Sequence, residues 1–390
     1  MKSRKRRKWG LASNFRTAMP QITNQSPSRK FVACPHFRLA ALFLCSALSL
    51  SAQQWQRALP GYQYQFPRDS FSHPNYRTEW WYYTGNLRAA DGRRFGFELT
   101  FFRRGEHVRI SHSAVWKPSE IYLAHLALSD IDGHKFYYTE RLNRAGPGLA
   151  GISLKDRRYW NGNWQVRWLS LNTGEQELQA VSKRFSLKLN LKPEKPFIIN
   201  GENGVSRKGP LPGEASHYIS CTRLGTTGQL TYQDETFRVT GLAWMDHEFF
   251  TSQLDPSIAG WDWFAIQLSN DEELMLYRLR KRSGGVSRYS SGTFVDRQGK
   301  AHFLSAAKIQ LSPLMKWHDY PVAWRIVIPS LGIDLTETPD LNDQELIDRN
   351  GISPTYWEGA VTYTGRVSSG PVHGVGYLEL TGYSGAVTLQ

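Results

Sequence analysis

Asp246 stands in the run Trp244-Met245-Asp246-His247-Glu248-Phe249, an acid set among aromatic side chains. An apolar surround disfavours the charged form of a carboxyl and raises its pKa, so such an acid can keep its proton near neutrality. A proton held in this way is what addition of water to an unactivated C=C bond requires. Trp244 and Phe249 could form the apolar cup around it, and aromatic faces stabilise a developing cation by up to about 2 kcal/mol each when desolvated. Water oriented by His217 or His247 would then trap that cation. A competing reading makes residues 246–248 a polar knot that fixes a domain junction through hydrogen bonds. The triplet is a poor metal site, because consecutive strand residues point to opposite faces. No metal or other cofactor is expected.

Other candidates surround this group. Glu79 precedes four aromatics, Trp80-Trp81-Tyr82-Tyr83, and either lines an apolar cavity or pairs with Arg77 or Arg103. His125, in Leu123-Ala124-His125-Leu126-Ala127, is an interior histidine that is either hydrogen-bonded or turned towards a ligand. Trp80, Tyr82, Trp261 and Trp263 are candidate ligand contacts, with Glu79, His125 and His247. Other reaction classes find no footing: there is no Gly-x-Ser-x-Gly elbow and no phosphate-binding glycine loop. Cys221 lies four residues from His217, about 13 Å along a strand, which is too far for a nucleophile–base pair.

The elements that must position these residues read as strands. Residues 95–101 alternate, with Phe95, Phe97, Leu99 and Phe101 on one face. Asp91-Gly92 separates them from residues 80–87, which predicts a hairpin. Further strands are expected over 122–128, 136–138, 164–171, 185–191, 228–232 and 237–244, punctuated by Asp132-Gly133, Asn161-Gly162, Thr173-Gly174 and Asn200-Gly201. One short helix is expected over 341–348, capped by Asn342 or Asp343. The pattern then repeats. Trp80, Tyr82, Tyr83 and Leu87 match Trp261, Trp263, Phe264 and Leu268, and Trp244-x-Asp246 matches Tyr377-x-Glu379. The fold class predicted is therefore all-β, with two related antiparallel β-barrel domains in tandem, 53–250 and 251–390, packed together. Aromatics on both faces of the Trp80 strand suit a wall shared with the second unit. The barrel mouths are the expected ligand sites.

At 390 residues, with 40% hydrophobic and 13% aromatic side chains, the chain is long enough for two packed domains and too apolar for wholesale disorder. The net charge of +14 is local in origin. Ten of the 48 lysines and arginines fall within residues 1–38, where no acid occurs, leaving 38 basic against 34 acidic residues. Nucleic-acid binding is not expected of so balanced a body. Residues 39–50 then form an apolar run too short to span a bilayer, followed by Ser51 and Ala52. Residues 1–52 read as a signal or leader segment, with Met19 as a second candidate start, and imply a periplasmic or secreted protein. Membrane contact is expected only through this leader if it stays uncleaved. Cys45 follows Leu44 and so lacks the small residue of a lipidation box. Cleavage leaves Cys221 alone, without a disulfide partner.

The block from His73-Pro74 through Thr78-Glu79-Trp80-Trp81-Tyr82-Tyr83-Thr84-Gly85-Asn86-Leu87, together with residues 95–103, 241–249 and Gly260-Trp261-Asp262-Trp263-Phe264, resembles the AttH-like proteins. These are related to the carotenoid 1,2-hydratases (hydroxyneurosporene synthases) and are often labelled secreted hydrolases. The likeness runs from about residue 65 to the end. It implies a lipocalin-like two-domain fold. By the hydratase pattern it implies catalytic roles for Asp246 and His217, with Trp244 where the hydratases carry tyrosine. By the AttH name it implies an exported carrier of a lipid or isoprenoid, associated with ABC transport components. A hydro-lyase adding water to a polyene is the alternative.

Overall fold

In the computed structural model the described residues are 55–106, 120–347 and 354–385, so the expected leader falls outside them. Among the described residues the regular structure is β-strand, with a few single 3-10 turns and no α-helix. Strands between Thr78 and Phe250 form one thirteen-stranded antiparallel sheet, and those between Ile258 and Leu380 form a second of ten. The all-β, lipocalin-like reading holds, and the expected hairpin of Thr78–Ala89 with Arg94–Gly105 is present.

In the first sheet the order across the middle is Lys135–Arg144, Glu120–Asp130, Arg94–Gly105, Thr78–Ala89, Glu235–Phe250, Ala215–Tyr232 and Phe185–Pro193. It curls until Arg158–Asn161 lies against the opposite edge, where the Asn161 amide donates to the Tyr122 carbonyl at 3.2 Å. The interior is filled by Trp81, Tyr83, Phe95, Phe97, Trp164 and Trp168. The second sheet curls half-way, its outer strands Ala301–Ser305 and Gln310–Trp317 unpaired with each other, around Phe264, Trp324, Trp357 and Tyr363.

Strand alternation explains how the sheets meet. Trp81 and Tyr83 point into the first core, while Trp80 and Tyr82 point out of it towards the second sheet. A third apolar cluster therefore forms between the sheets, from Tyr82, Tyr218, Trp244, Trp263, Tyr277, Ala360 and Tyr377. The sheets come into close contact at Gly96, where a Cβ would stand 2.7 Å from the Ala360 Cβ and 2.8 Å from the Tyr377 hydroxyl.

Over 341–347, the described part of the helix expected at 341–348, no helix forms. Glu345–Leu346 is instead a short strand paired with Tyr356–Val367. Gln344 accepts from the Ala360 amide at 3.1 Å, and the Trp357 indole donates to the Asn342 carbonyl at 2.7 Å. Those tertiary bonds outweigh a cap on so short a segment.

Candidate functional site

The two-fold repeat is visible in the register. Tyr82 lies opposite Asp246 across the first sheet, and Trp263 lies opposite Glu379 across the second. Each half thus sets an acid beside an aromatic on its outward face. When the sheets pack, both acids line one pocket of about 570 Å³ between them, within the range of small-molecule sites. This corrects the expected location, since both barrel interiors are occupied by their own side chains and the pocket lies between the sheets. Trp80, Tyr82, His125, Trp261 and Trp263 line it, with Asp246. Phe102, Ile121, Leu123, Leu254 and Leu279 make much of the wall apolar.

Asp246 is 3% exposed. Its Oδ1 accepts from the Trp244 indole at 2.7 Å and from the Ser220 hydroxyl, and its Oδ2 accepts from the Tyr218 hydroxyl. The Trp263 indole in turn donates to Tyr218 at 2.9 Å. Every one of these donors is neutral. Burial therefore prevails and pushes the carboxyl up to about 7, although the three hydrogen bonds pull it down. Trp244, Tyr218, Tyr82 and Trp263 make the cup. Phe249, expected in it, points to the other face and stacks on His73 at 3.6 Å.

His217 is also placed elsewhere. It pairs with Phe249, whereas Asp246 pairs with Ser220, so the alternation turns His217 away from the acid. Its ring lies among Tyr62, Tyr64 and Phe249, and burial lowers its pKa to about 4. The structure does not bring His217 and Asp246 together. Tyr218 takes the place beside the acid. Strand alternation was the signal for it: residues 218 and 220 share the face that 217 does not.

Glu79 and His247 lie on that same averted face, outside the pocket lining. Glu79 Oε1 accepts from His73 Nδ1 at 2.6 Å and from His247 Nε2 at 2.9 Å, and Oε2 accepts from Arg103 Nε at 3.0 Å. Of the two arginines the sequence offered, Arg103 is the partner. Although burial alone would raise the Glu79 carboxyl, His73 and Arg103 hold it well below the usual carboxylate range. His73, Glu79 and His247 bring one ligand atom each to within 4.8 Å of one another. Both rings stand at hydrogen-bond distance from Glu79, and the Arg103 guanidinium already neutralises the carboxylate, so the group reads as an ionic network centred on Glu79.

Three further features were missed. Glu379 lines the pocket, and burial raises it to about 8. Its match to Asp246 in the repeat was the available signal. Glu358 accepts from Tyr82 and is raised by burial and by nearby Glu98. Lys208 donates to Glu248 and to Ser216, each at 2.6 Å, at the Asp246 end of the pocket. Nothing in the sequence pattern marked Glu358 or Lys208. Cys221 is buried, its thiol pushed up to about 12, and so is inert as a nucleophile.

The arrangement is an aromatic cleft with a buried acid, its pKa raised by burial, on each wall. Known proteins agree with the architecture. The AttH-like family model matches residues 57–383. The crystal structure of a protein assigned as an AttH from Nitrosomonas europaea is similar at TM-score 0.75 and 32% identity, over 84% of this chain and 99% of that one. Kievitone hydratase from Nectria haematococca is similar in fold at TM-score 0.65 and 15% identity, over 85% and 97%. Among curated proteins nothing matches the chain.

Proposed function

The chain belongs to the AttH-like family, and from that premise we propose that it binds an apolar, unsaturated molecule between its two sheets and adds water to a C=C bond. The observation that carries this is the buried Asp246 carboxyl at the wall of an aromatic pocket, where burial raises it to about 7. In the step, the Asp246 proton passes to one alkene carbon as the π pair forms the C–H bond. The cation left on the neighbouring carbon faces Trp263, Tyr82 and Tyr218. Water adds its oxygen there, and its surplus proton returns to the Asp246 carboxylate, directly or through Tyr218. Atoms and charge balance, and the acid is regenerated. Proton transfer of this kind contributes about 10²–10⁴-fold in rate. The fold likeness to a hydratase supports the reading without fixing the substrate.

The expected setting outside the cytoplasm, by virtue of residues 1–52, belongs to the same proposal. So does exchange of the ligand with ABC transport components. The test incubates the whole chain with a panel of isoprenoid alkenes in heavy-oxygen water. A product heavier by one labelled water, lost in Asp246→Asn while ligand binding and folding persist, is the expected result. Tight binding with no product from any probe would make the protein a carrier and leave Asp246 a structural acid.

A further inference from the structure

Hydration needs a group that aims the water. The two histidines expected to do so, His217 and His247, lie on the averted face of their strands and outside the pocket lining. Glu248 stands two residues along from Asp246, so alternation keeps both acids on one face. Across the neighbouring strands Asp246 lies opposite Ser220 and Tyr82, and Glu248 lies opposite Tyr218 and Trp80. Both acids line the pocket. Two strand residues apart, their stems are separated by about 7 Å. Paired carboxyls about 6.5–9.5 Å apart are the spacing at which inverting glycosidases admit a water to the reacting carbon.

Glu248 is 7% exposed, and its two oxygens have different surroundings. Oε2 accepts from Lys208 Nζ at 2.6 Å, from Gln253 Nε2 at 2.7 Å and from the Ser216 hydroxyl. Among the described residues no donor meets Oε1, and the protein does not seal that atom from solvent. The carboxylate is thus clamped through one oxygen and presents the other to the cleft as an acceptor without a partner. Lys208 already supplies the countercharge, so what Oε1 lacks is a hydrogen-bond donor. We infer that Glu248 Oε1 holds the attacking water by accepting one of its O–H groups, which aims an oxygen lone pair at the carbon made cationic by the Asp246 proton. The inference rests on the proposed role of Asp246. As the C–O bond forms, the hydrogen held by Glu248 stays on the new hydroxyl. The water's other proton goes to Asp246 as in the hydration step, so the balance is unchanged and Glu248 keeps its ion pair throughout.

Glu248→Gln tests this with the shape preserved. Three donors converge on the Oε2 position, so the amide oxygen must take that place, and the amide NH₂ then faces the cleft. The acceptor for the water becomes a donor. The whole chain is incubated with geraniol and farnesol, alkenes of the hydration panel, in deuterated heavy-oxygen water. The two labels separate the steps. A cation that forms and then loses a proton returns an alkene carrying deuterium, whereas a captured cation gains a hydroxyl carrying heavy oxygen. The parent chain is expected to give the labelled hydroxyl. In Glu248→Gln that product is expected to fall about 10²-fold, the scale of a misplaced reactant, while deuterium in the recovered alkene persists. Lys208→Met combined with Glu248→Gln leaves no ammonium group stranded. It serves if the single variant does not fold, and is expected to show the same split. Labelled hydroxyl formed at the parent rate in the variants would overturn the inference. So would parallel loss of both labels, which would make Glu248 a structural support. A parent chain that puts neither label into either probe would overturn the inference together with the hydration reading. Deuterium uptake that survives Asp246→Asn would refute the acid step alone.

Discussion

Asp246 and Glu79 are both buried acids on adjoining strands, and their partners drive them in opposite directions. Glu79 meets the cations Arg103 and His73 and is held ionised. Asp246 meets only the hydroxyls of Ser220 and Tyr218 and the Trp244 indole, and burial raises it. Replacing Glu79 with Gln takes from Arg103 its fully buried carboxylate and leaves it the partly exposed Glu120 and two backbone carbonyls, for which a loss of up to about 3–5 kcal/mol is expected. Denaturant unfolding measures it, and a midpoint unchanged from the parent would refute the ionic network. Tyr218→Phe removes a bond that lowers the Asp246 pKa. The pH profile of turnover should therefore move to higher pH, and a profile that stays put would mean Tyr218 does not bear on the acid. At this scale Asp246 was legible because an acid among aromatics is unusual. His217 was misplaced because the hydratase pattern that points to it does not say which face of its strand the side chain takes.

Between elements, the information lies in register. Tyr82 with Asp246 and Trp263 with Glu379 occupy equivalent cross-strand positions, and the packing of the two sheets then turns one repeat's acid towards the other's. The repeat, the hairpin and the double-faced aromatic strand could all be read from spacing, because alternation maps directly onto faces. What could not be read was which surface of each curled sheet would hold the cleft. That depends on how completely Trp81, Trp164, Trp168 and Trp324 fill the interiors, and sequence does not state a volume. The failed helix over 341–348 is similar, since Trp357 and Gln344 settle its conformation from outside the segment. Gly96 tests the sheet-to-sheet contact. Gly96→Val drives a side chain into Ala360 and Tyr377, with an expected cost of about 1–3 kcal/mol and weakened ligand binding. Unaltered stability would argue that the sheets do not meet there.

For the molecule as a whole, these opposed carboxyls give stability two limbs in pH. Asp69 and Glu79 are lowered from 3.8 and 4.5, so what they contribute is present above those values and lost as the solution is acidified through their folded pKa values. Glu98, Asp246 and Glu379 are raised to about 7, 7 and 8, so the folded chain binds more protons than the unfolded one. Their contribution is complete below the unfolded values and declines as pH climbs towards 8. Thermal unfolding should therefore peak on the mildly acidic side, and Glu379→Gln, which mimics the protonated acid, should flatten the alkaline decline. A stability curve still rising through neutrality would contradict this balance. The most direct test of the central claim is an infrared titration of the protonated-carboxyl stretch, taken as the difference between the parent chain and Asp246→Asn. The account predicts a band lost in the variant and titrating near 7. A carboxyl already ionised at mildly acidic pH, with no difference band at neutrality, would contradict it and remove the proton on which the proposed hydration depends.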